Sequence, residues 1–446
     1  MWYKDIDKRG RVLYIAYAAF EYFVAILSSG AYIAKVTSTL GISDSLTGII
    51  TSFVSLGFSF QIFAIFLTRK KRVKPFVFTF GMINQACFGL IYLVPFFNIP
   101  GTAKTVIFMA AMLIANALLN VGRAPNTKWF YSYVDDKHRG VFTATNEMVS
   151  VLGGMTFSFV IGVVIDYFEA QGNLEGSFLF CGIGIFGLTM LQALCFFFSK
   201  EKPYPEVKDE NLGQVMLSLV KNKQYVKVVI LQVLWYATVY STTPFFGTYL
   251  INELGFSMTL VSVVSIVSAI SRSAFSRPMG RYGDKHSFMK LMNLCLCIFL
   301  VSFALKIFTV PGNGKVMVML YTIAYAIGSA GINSTKINLV FECVEKEHVM
   351  PALAVENGFA GAAGFLTTLA VSPLVSYIQN SGNRFLGMNV YAQQVVSVIG
   401  FLLVCVTLAY ANFGLHKGGK NGKNGDSDEA KTVDAAESSE PALEEA

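Results

Sequence analysis

The sequence predicts an all-α polytopic membrane protein, and three observations carry that prediction. Of the 446 residues, 54% are apolar and only 14% are charged, against about 25% charged in a soluble domain. The mean hydropathy is +0.54. The apolar residues also gather in long runs, such as 103–121, 149–165 and 395–410, each close to the roughly 20 residues with which a helix crosses a bilayer. A single water-soluble globule is excluded.

Windows of about 19 residues, cut at charge clusters and Pro/Gly/Asn turns, give twelve spans, at 12–37, 45–68, 75–97, 104–131, 140–168, 177–199, 225–251, 257–279, 288–310, 315–341, 349–378 and 386–412. An even number puts both ends on one side. With the termini in the cytoplasm, the inner side collects 27 Lys and Arg, including the cluster at 69–74, and the outer side only Lys35, Lys104, Lys306, Lys315 and Arg384. The positive-inside rule therefore makes both termini cytoplasmic. The net charge of +7 follows from this topology and from membrane-surface electrostatics, so no nucleic-acid partner is inferred.

The remaining segments fill in the organisation. The seven cysteines sit almost entirely in apolar runs without C-x-x-C or His-rich spacing, so no disulfide framework, metal site or other cofactor is expected. Residues 1–11 are basic but precede no small-residue cleavage site, and the first span reads as uncleaved. In the linker at 200–224, Leu212, Val215, Met216, Leu219 and Val220 recur at helical spacing, as in an amphipathic helix lying on the inner face. The tail is Gly/Asn/Lys-rich and then acidic, and disorder is expected there. The organisation is thus an N-terminal six-helix bundle at 1–199, a linker at 200–224, a C-terminal six-helix bundle at 225–412 and a cytoplasmic tail at 413–446.

The two halves repeat each other weakly. Leu40-Gly41-Ile42-Ser43, opening the second span, matches Leu254-Gly255-Phe256-Ser257, opening the eighth, and the loop at 134–138 falls on 344–348. Between the eighth and ninth spans, Gly280-Arg281-Tyr282-Gly283-Asp284-Lys285-His286-Ser287-Phe288-Met289-Lys290 resembles the G-x-x-x-D-(R/K)-x-G-x-x-(R/K) loop of the major facilitator superfamily. It departs from it by Ser287 where the family usually has Gly. In the first half the loop is degenerate, with Phe66 at the Gly position and Lys70 at the Asp position.

The resemblance extends over about residues 10–412. It implies two pseudo-symmetric six-helix bundles around a central cavity that opens to one side at a time. Spans 1, 4, 7 and 10 would line the cavity, and spans 2, 5, 8 and 11 would form the interface. For Asp284, flanked by Gly280 and Lys285, it implies a gate that pairs across the cytoplasmic ends of the interface spans. Arg272, on a stripe with Ser262, Ser265 and Ser276, reads as an interface or gate residue.

Within the spans, a charge near the bilayer centre costs at least about 2.5–3.5 kcal/mol, so each one needs a partner, water or a purpose. Glu21, Arg123, Glu147 and Glu356 lie about eight to ten residues into their spans, near mid-membrane at about 1.5 Å per residue. Helical phase adds Tyr17 beside Glu21, Asn120 beside Arg123, Tyr236 with Tyr240 on the seventh span and Asn333 with Lys336 on the tenth. These ten are the candidate substrate- or proton-binding residues. Arg123 reads either as a structural ion pair with Glu147 or as a group handling solute or protons. Glu21 reads as titrating or substrate-facing, and Lys336 either as a ligand or as a snorkelling lysine.

The expected function is a secondary active transporter that moves a small polar organic solute by alternating access, coupled to a proton or another ion. A sugar, a glycoside or an organic anion is preferred. Without a P-loop, H-E-x-x-H or G-x-S-x-G string, an enzyme is not expected. Drug efflux by proton antiport is the alternative, although the fifth span reads Leu152-Gly153-Gly154 without the proline of the G-P-x-x-G-G signature. A non-transporting receptor or assembly protein on the same scaffold stays open. The expected setting is a monomer in a bacterial inner (plasma) membrane, with solute, coupling ion and lipid as its partners.

Overall fold

The computed structural model describes residues 6–68, 72–134, 139–200, 212–345 and 348–415. The basic loop at 69–71, part of the loop at 134–138, most of the linker before Leu212 and the tail from 416, with its expected disorder, lie outside them. Among the described residues, twelve helices are long and apolar enough to cross a membrane. They form two bundles of six. The end bearing both termini and the linker is called the linker end below, and the opposite one the far end.

Three spans predicted as continuous are broken. The first is α1 (Ile6–Leu27) followed by α2 (Gly30–Thr39), and the second is α3 (Asp44–Thr51), α4 (Phe53–Ser59) and α5 (Gln61–Thr68). A break exposes backbone carbonyls where no water can satisfy them, and serines supply local donors. Ser28 donates to the Val24 carbonyl at 2.8 Å, Ser29 to Ile26 at 3.1 Å and Ser52 to Ile49 at 2.6 Å. The next four spans are α6 (Lys74–Leu93), α7 (Gly101–Tyr131), α8 (Arg139–Ala170) and α9 (Leu174–Phe198).

In the linker, α10 (Leu212–Lys221) seats Val215 and Leu219 on the second bundle and leaves Leu217 and Val220 exposed, as an amphipathic helix at an interface would. The seventh span breaks after α11 (Lys223–Tyr240), where Ser241 donates to Thr238 at 2.7 Å, and resumes as α12 (Thr243–Thr248) and a π-helical turn at Tyr249–Glu253. The rest are α13 (Met258–His286), α14 (Phe288–Ile307), α15 (Gly314–Phe341), α16 (Val349–Asn380) and α17 (Ala392–Tyr410). The last span starts later than predicted because β1 (Arg384–Phe385) and β2 (Met388–Asn389) form a small antiparallel hairpin there.

The sequence repeat is a repeat of structure. Gly41 and Gly255 both adopt positive φ, at 71° and 63°, and Ser43 and Ser257 both cap the next helix, accepting from Leu46 N–H and Leu260 N–H. Each copy turns the chain at the far end and starts an interface span with its amide donors satisfied.

Small residues and hydroxyls join the halves, as in membrane helix packing generally. Ser55 and Ser59 donate to the Gly361 and Gly358 carbonyls of α16 at 2.8 and 3.0 Å, and Ser372 donates back to Ser45 at 3.1 Å. A Cβ on Gly162 of α8 would sit 2.7 Å from the Met258 carbonyl of α13, so only glycine permits that approach. Two acids reinforce the far end. Asp166 accepts from the N–H groups of Met258 and Thr259 at 2.7 and 2.8 Å, and Asp44 accepts from Asn252 and Gln379, both at 2.7 Å. Toward the linker end, Glu147, Met148, Val149 and Leu152 of α8 and residues 272–278 of α13 are exposed. The halves are therefore held together at the far end.

The family-like segment is mostly helical rather than a loop, because α13 runs on through Asp284 to His286. Ser287 alone makes the turn, with φ 147° and ψ 154°, a region populated essentially by glycine and costing other residues about 1–3 kcal/mol. Its hydroxyl caps α14 by accepting from Lys290 N–H at 3.3 Å. Losing that cap to glycine costs only a few tenths of a kcal/mol, and the extra freedom of an unfolded glycine about 0.5–1 kcal/mol. Ser287→Gly is therefore expected to be neutral to about 1 kcal/mol stabilising, whereas Ser287→Ala keeps the strain, loses the cap and destabilises by about 1 kcal/mol. Thermal unfolding in detergent should rank Gly above Ala, with wild type not above Gly, and the reverse order would contradict the strain assignment.

Candidate functional site

The candidate residues gather on the helices that face each other across the middle of the bundles. On α7, Arg123 lies with its guanidinium 5.2 Å from the centre of the Phe58 ring of α4, and Glu21 of α1 is the carboxylate that faces it. Tyr17, one turn from Glu21, lies beside it, while its ring is buried against Trp129 and Phe196 at 5.4 and 4.8 Å. Tyr17, Glu21, Asn84, Arg123 and Asn126 border a cavity of about 20 Å³, enough for one water molecule.

The second half has a matching set. Lys336 of α15 donates to the Tyr236 hydroxyl at 3.2 Å and lies 4.6 Å from the centre of that ring. Glu356 of α16 is buried at 1% exposure and faces Lys336, with its Oε1 unpartnered. The sets touch. Phe58 meets Tyr236 edge-on at 5.8 Å, and Tyr236 stacks on Tyr240, also at 5.8 Å; Tyr240 and Ser55 of the first half both pack on Gly364. Contacts thus run from Arg123 through Phe58 and Tyr236 to Lys336, with Glu21 and Glu356 facing the two ends.

Other candidates are placed elsewhere. Asn120 is buried between α4 and α7, donating to the Asn116 carbonyl of its own helix at 2.9 Å, with its Oδ1 unpartnered. Glu147 is exposed, and among the described residues Arg123 forms an ion pair neither with it nor with Glu21, the carboxylate that faces it. Asn333 and Arg272 are exposed, as are Asp284 and Lys285. Gly280 has open space around it. Among the described residues Asp284 has no ion-pair partner.

Sequence reasoning missed Phe58, which in an apolar run carries no signal. It also passed over a cavity of about 240 Å³ between the halves, lined by Tyr22, Ser29, Tyr32, Ser158, Ser265 and Ala269. Tyr32 there donates to the Ser158 carbonyl at 3.0 Å and meets Ser262 of the second half at 3.1 Å.

Comparison with known proteins agrees with this architecture. The sequence profile of the Major Facilitator Superfamily matches residues 13–368. Among solved structures, a mutant of the nucleoside transporter NupG superposes with a TM-score of 0.70 at 15% identity, over 91% of this chain and 99% of that one. A bacterial homologue of the human lysosomal transporter Spinster, inward-facing and unoccupied, gives 0.64 at 11% identity over 93% and 97%. A D-xylose-proton symporter gives 0.60 at 13% identity over 89% and 96%. At these identities the likeness is one of fold. No curated protein matches the sequence significantly. With a matching profile over most of its length, twelve spans and two like bundles, the chain belongs to the major facilitator superfamily.

Proposed function

We propose that the protein is a secondary active transporter that takes up a small organic anion by alternating access, together with a proton. The observation that supports this is that each half sets one cation opposite a carboxylate beyond direct ion-pair contact, Arg123 opposite Glu21 and Lys336 opposite Glu356, with Phe58 and Tyr236 joining the two cations. The four groups sum to zero charge when all are ionised. An anion that takes Arg123 or Lys336 as its counter-ion releases a carboxylate into a low-dielectric site, and desolvation then favours its protonation. Solute and proton therefore enter together, and for a monoanion the loaded site stays neutral. The rings give the anion's organic part a flat surface. The positive-inside bias supports cytoplasmic termini in a bacterial inner membrane, which makes the state held together at the far end the one open to the cytoplasm.

A nucleoside or sugar is the second reading, favoured by the Tyr236–Tyr240 stack and by the solutes that NupG and the xylose symporter carry by their descriptions. The test is flux into reconstituted vesicles against a panel of organic anions, nucleosides and sugars, with the pH gradient and membrane potential clamped separately. Anion uptake driven by the pH gradient and indifferent to potential is expected for a monoanion. Neutral-solute uptake would favour the second reading, and silence across the panel a non-transporting role.

Two variants separate the roles. Glu21→Gln keeps volume and hydrogen bonding but cannot carry a proton, so gradient-driven accumulation should fall about tenfold or more while solute exchange persists. Unchanged accumulation would remove Glu21 as the coupling group. Lys336→Met takes away a charged hydrogen-bond donor, worth roughly tenfold to hundredfold in half-saturation for an anion, and should leave a neutral solute far less affected. Equal losses for both solutes would show that Lys336 serves packing.

A further inference from the structure

Lys306 has no place in the mechanism above, yet it is among the largest fully buried side chains, at 1% exposure. It lies one residue before the end of α14, and no carboxylate pairs with it among the described residues. Its ammonium sits instead in a cage of rings, 4.3 Å from the centre of Phe246, 4.6 Å from Tyr321 and 6.0 Å from Phe303, within cation–π range. The Nζ donates to one hydroxyl, Thr242 Oγ1, at 3.4 Å.

That hydroxyl belongs to the break in the seventh span. Thr242 stands between α11 and α12 with φ −126° and ψ −40°, outside helical geometry. Its carbonyl accepts from Gln393 of α17 at 3.4 Å. Beyond the break, α12 is the part of the second half that covers the far end. A Cβ on Gly247 would sit 2.7 Å from the Gly30 carbonyl group, Thr51 donates to the Pro244 carbonyl at 2.9 Å, and the Phe245 ring packs on Gly48. For the far end to open, α12 must leave Gly30 and Gly48, and the chain that allows this is the break Lys306 holds.

We infer that Lys306 is a positioning residue for the far-end gate, its caged ammonium fixing the break at Thr242 and thereby the seat of α12 on the first half. An apolar side chain would fill the cage without bringing a charge out of water, so the cation is retained for what it binds. The inference rests on the alternating-access reading above.

The experiment is hydrogen exchange by mass spectrometry on the full chain in nanodiscs, without solute, so that it reads out whether or not transport is found. Lys306→Met should raise the exchange rate of residues 241–253 and of 28–33 about tenfold, leave α6 and α9 unchanged, and keep or raise the melting temperature, because an apolar isostere replaces an unpaired buried charge. Lys306→Arg, which keeps the cation, should restore slow exchange. Thr242→Val should loosen the same segments, and the double variant should loosen them no further than either single change. Unchanged or slower exchange at 241–253, loosening spread evenly over the second half, an Arg variant that behaves like Met, or additive effects in the double variant would each overturn the assignment.

Discussion

A cation within a membrane span must find its partners in the chain or in a water-filled cavity. The three cations discussed above, Arg123, Lys336 and Lys306, are each set against an aromatic face. A ring attracts a cation without neutralising it, so the charge stays available to another partner. What then separates the three is the carboxylate. Arg123 and Lys336 face Glu21 and Glu356, which is what the proposed anion site rests on. Among the described residues Lys306 faces none, is sealed from solvent, and has only rings and a hydroxyl to hold. The same physical solution therefore serves two cations opposite carboxylates and one without.

The contacts between the halves obey a complementary rule. Many are hydroxyl-to-carbonyl bonds, as at Ser55, Ser59 and Ser372, and interhelical bonds of this kind in membranes are worth about 0.6 kcal/mol on average and under about 2 kcal/mol each. An interface of many weak bonds and close glycine contacts is specific in register yet breakable. The stronger groups, Asp44 and Asp166, sit at the far end, where their partners are side-chain amides and backbone N–H groups rather than cations. No ion pair has to be broken into lipid for these contacts to part.

Much of this was legible in the sequence, and what was not has identifiable causes. Twelve apolar runs are a strong signal because a bilayer leaves few alternatives, and Leu-Gly-x-Ser marks the same turn and cap twice because positive φ and an amide acceptor demand those residue types. The breaks in the first, second and seventh spans were invisible, since serine inside an apolar run looks the same whether it bonds back to a carbonyl or merely sits in the helix. Phe58 looked like any lipid-facing phenylalanine. Lys306 was visible as a charge, but its place near the end of a span assigned it to the outer surface, where a lysine needs no partner. Arg123 could be placed at the right depth, but depth alone does not choose between Glu21 and Glu147; the rotation of each helix does, and that is settled by packing.

Under the proposed function, the line from Glu21 to Glu356 also limits what kind of solute could drive the cycle. A ligand shifts a conformational equilibrium only by the difference in its affinity for the two states. A solute touching Arg123 alone would bind alike whichever end of the cavity is open, because Arg123, Glu21 and Phe58 all belong to one bundle and move with it. Tyr236 and Lys336 belong to the other. The distance between the two sets is what changes when the bundles rock, and the Phe58–Tyr236 contact is where that change passes through the site. A solute that spans from one cation to the rings of the opposite half is therefore sensitive to the motion, and a smaller one is not. The length of the solute, as much as its charge, becomes a condition for coupling.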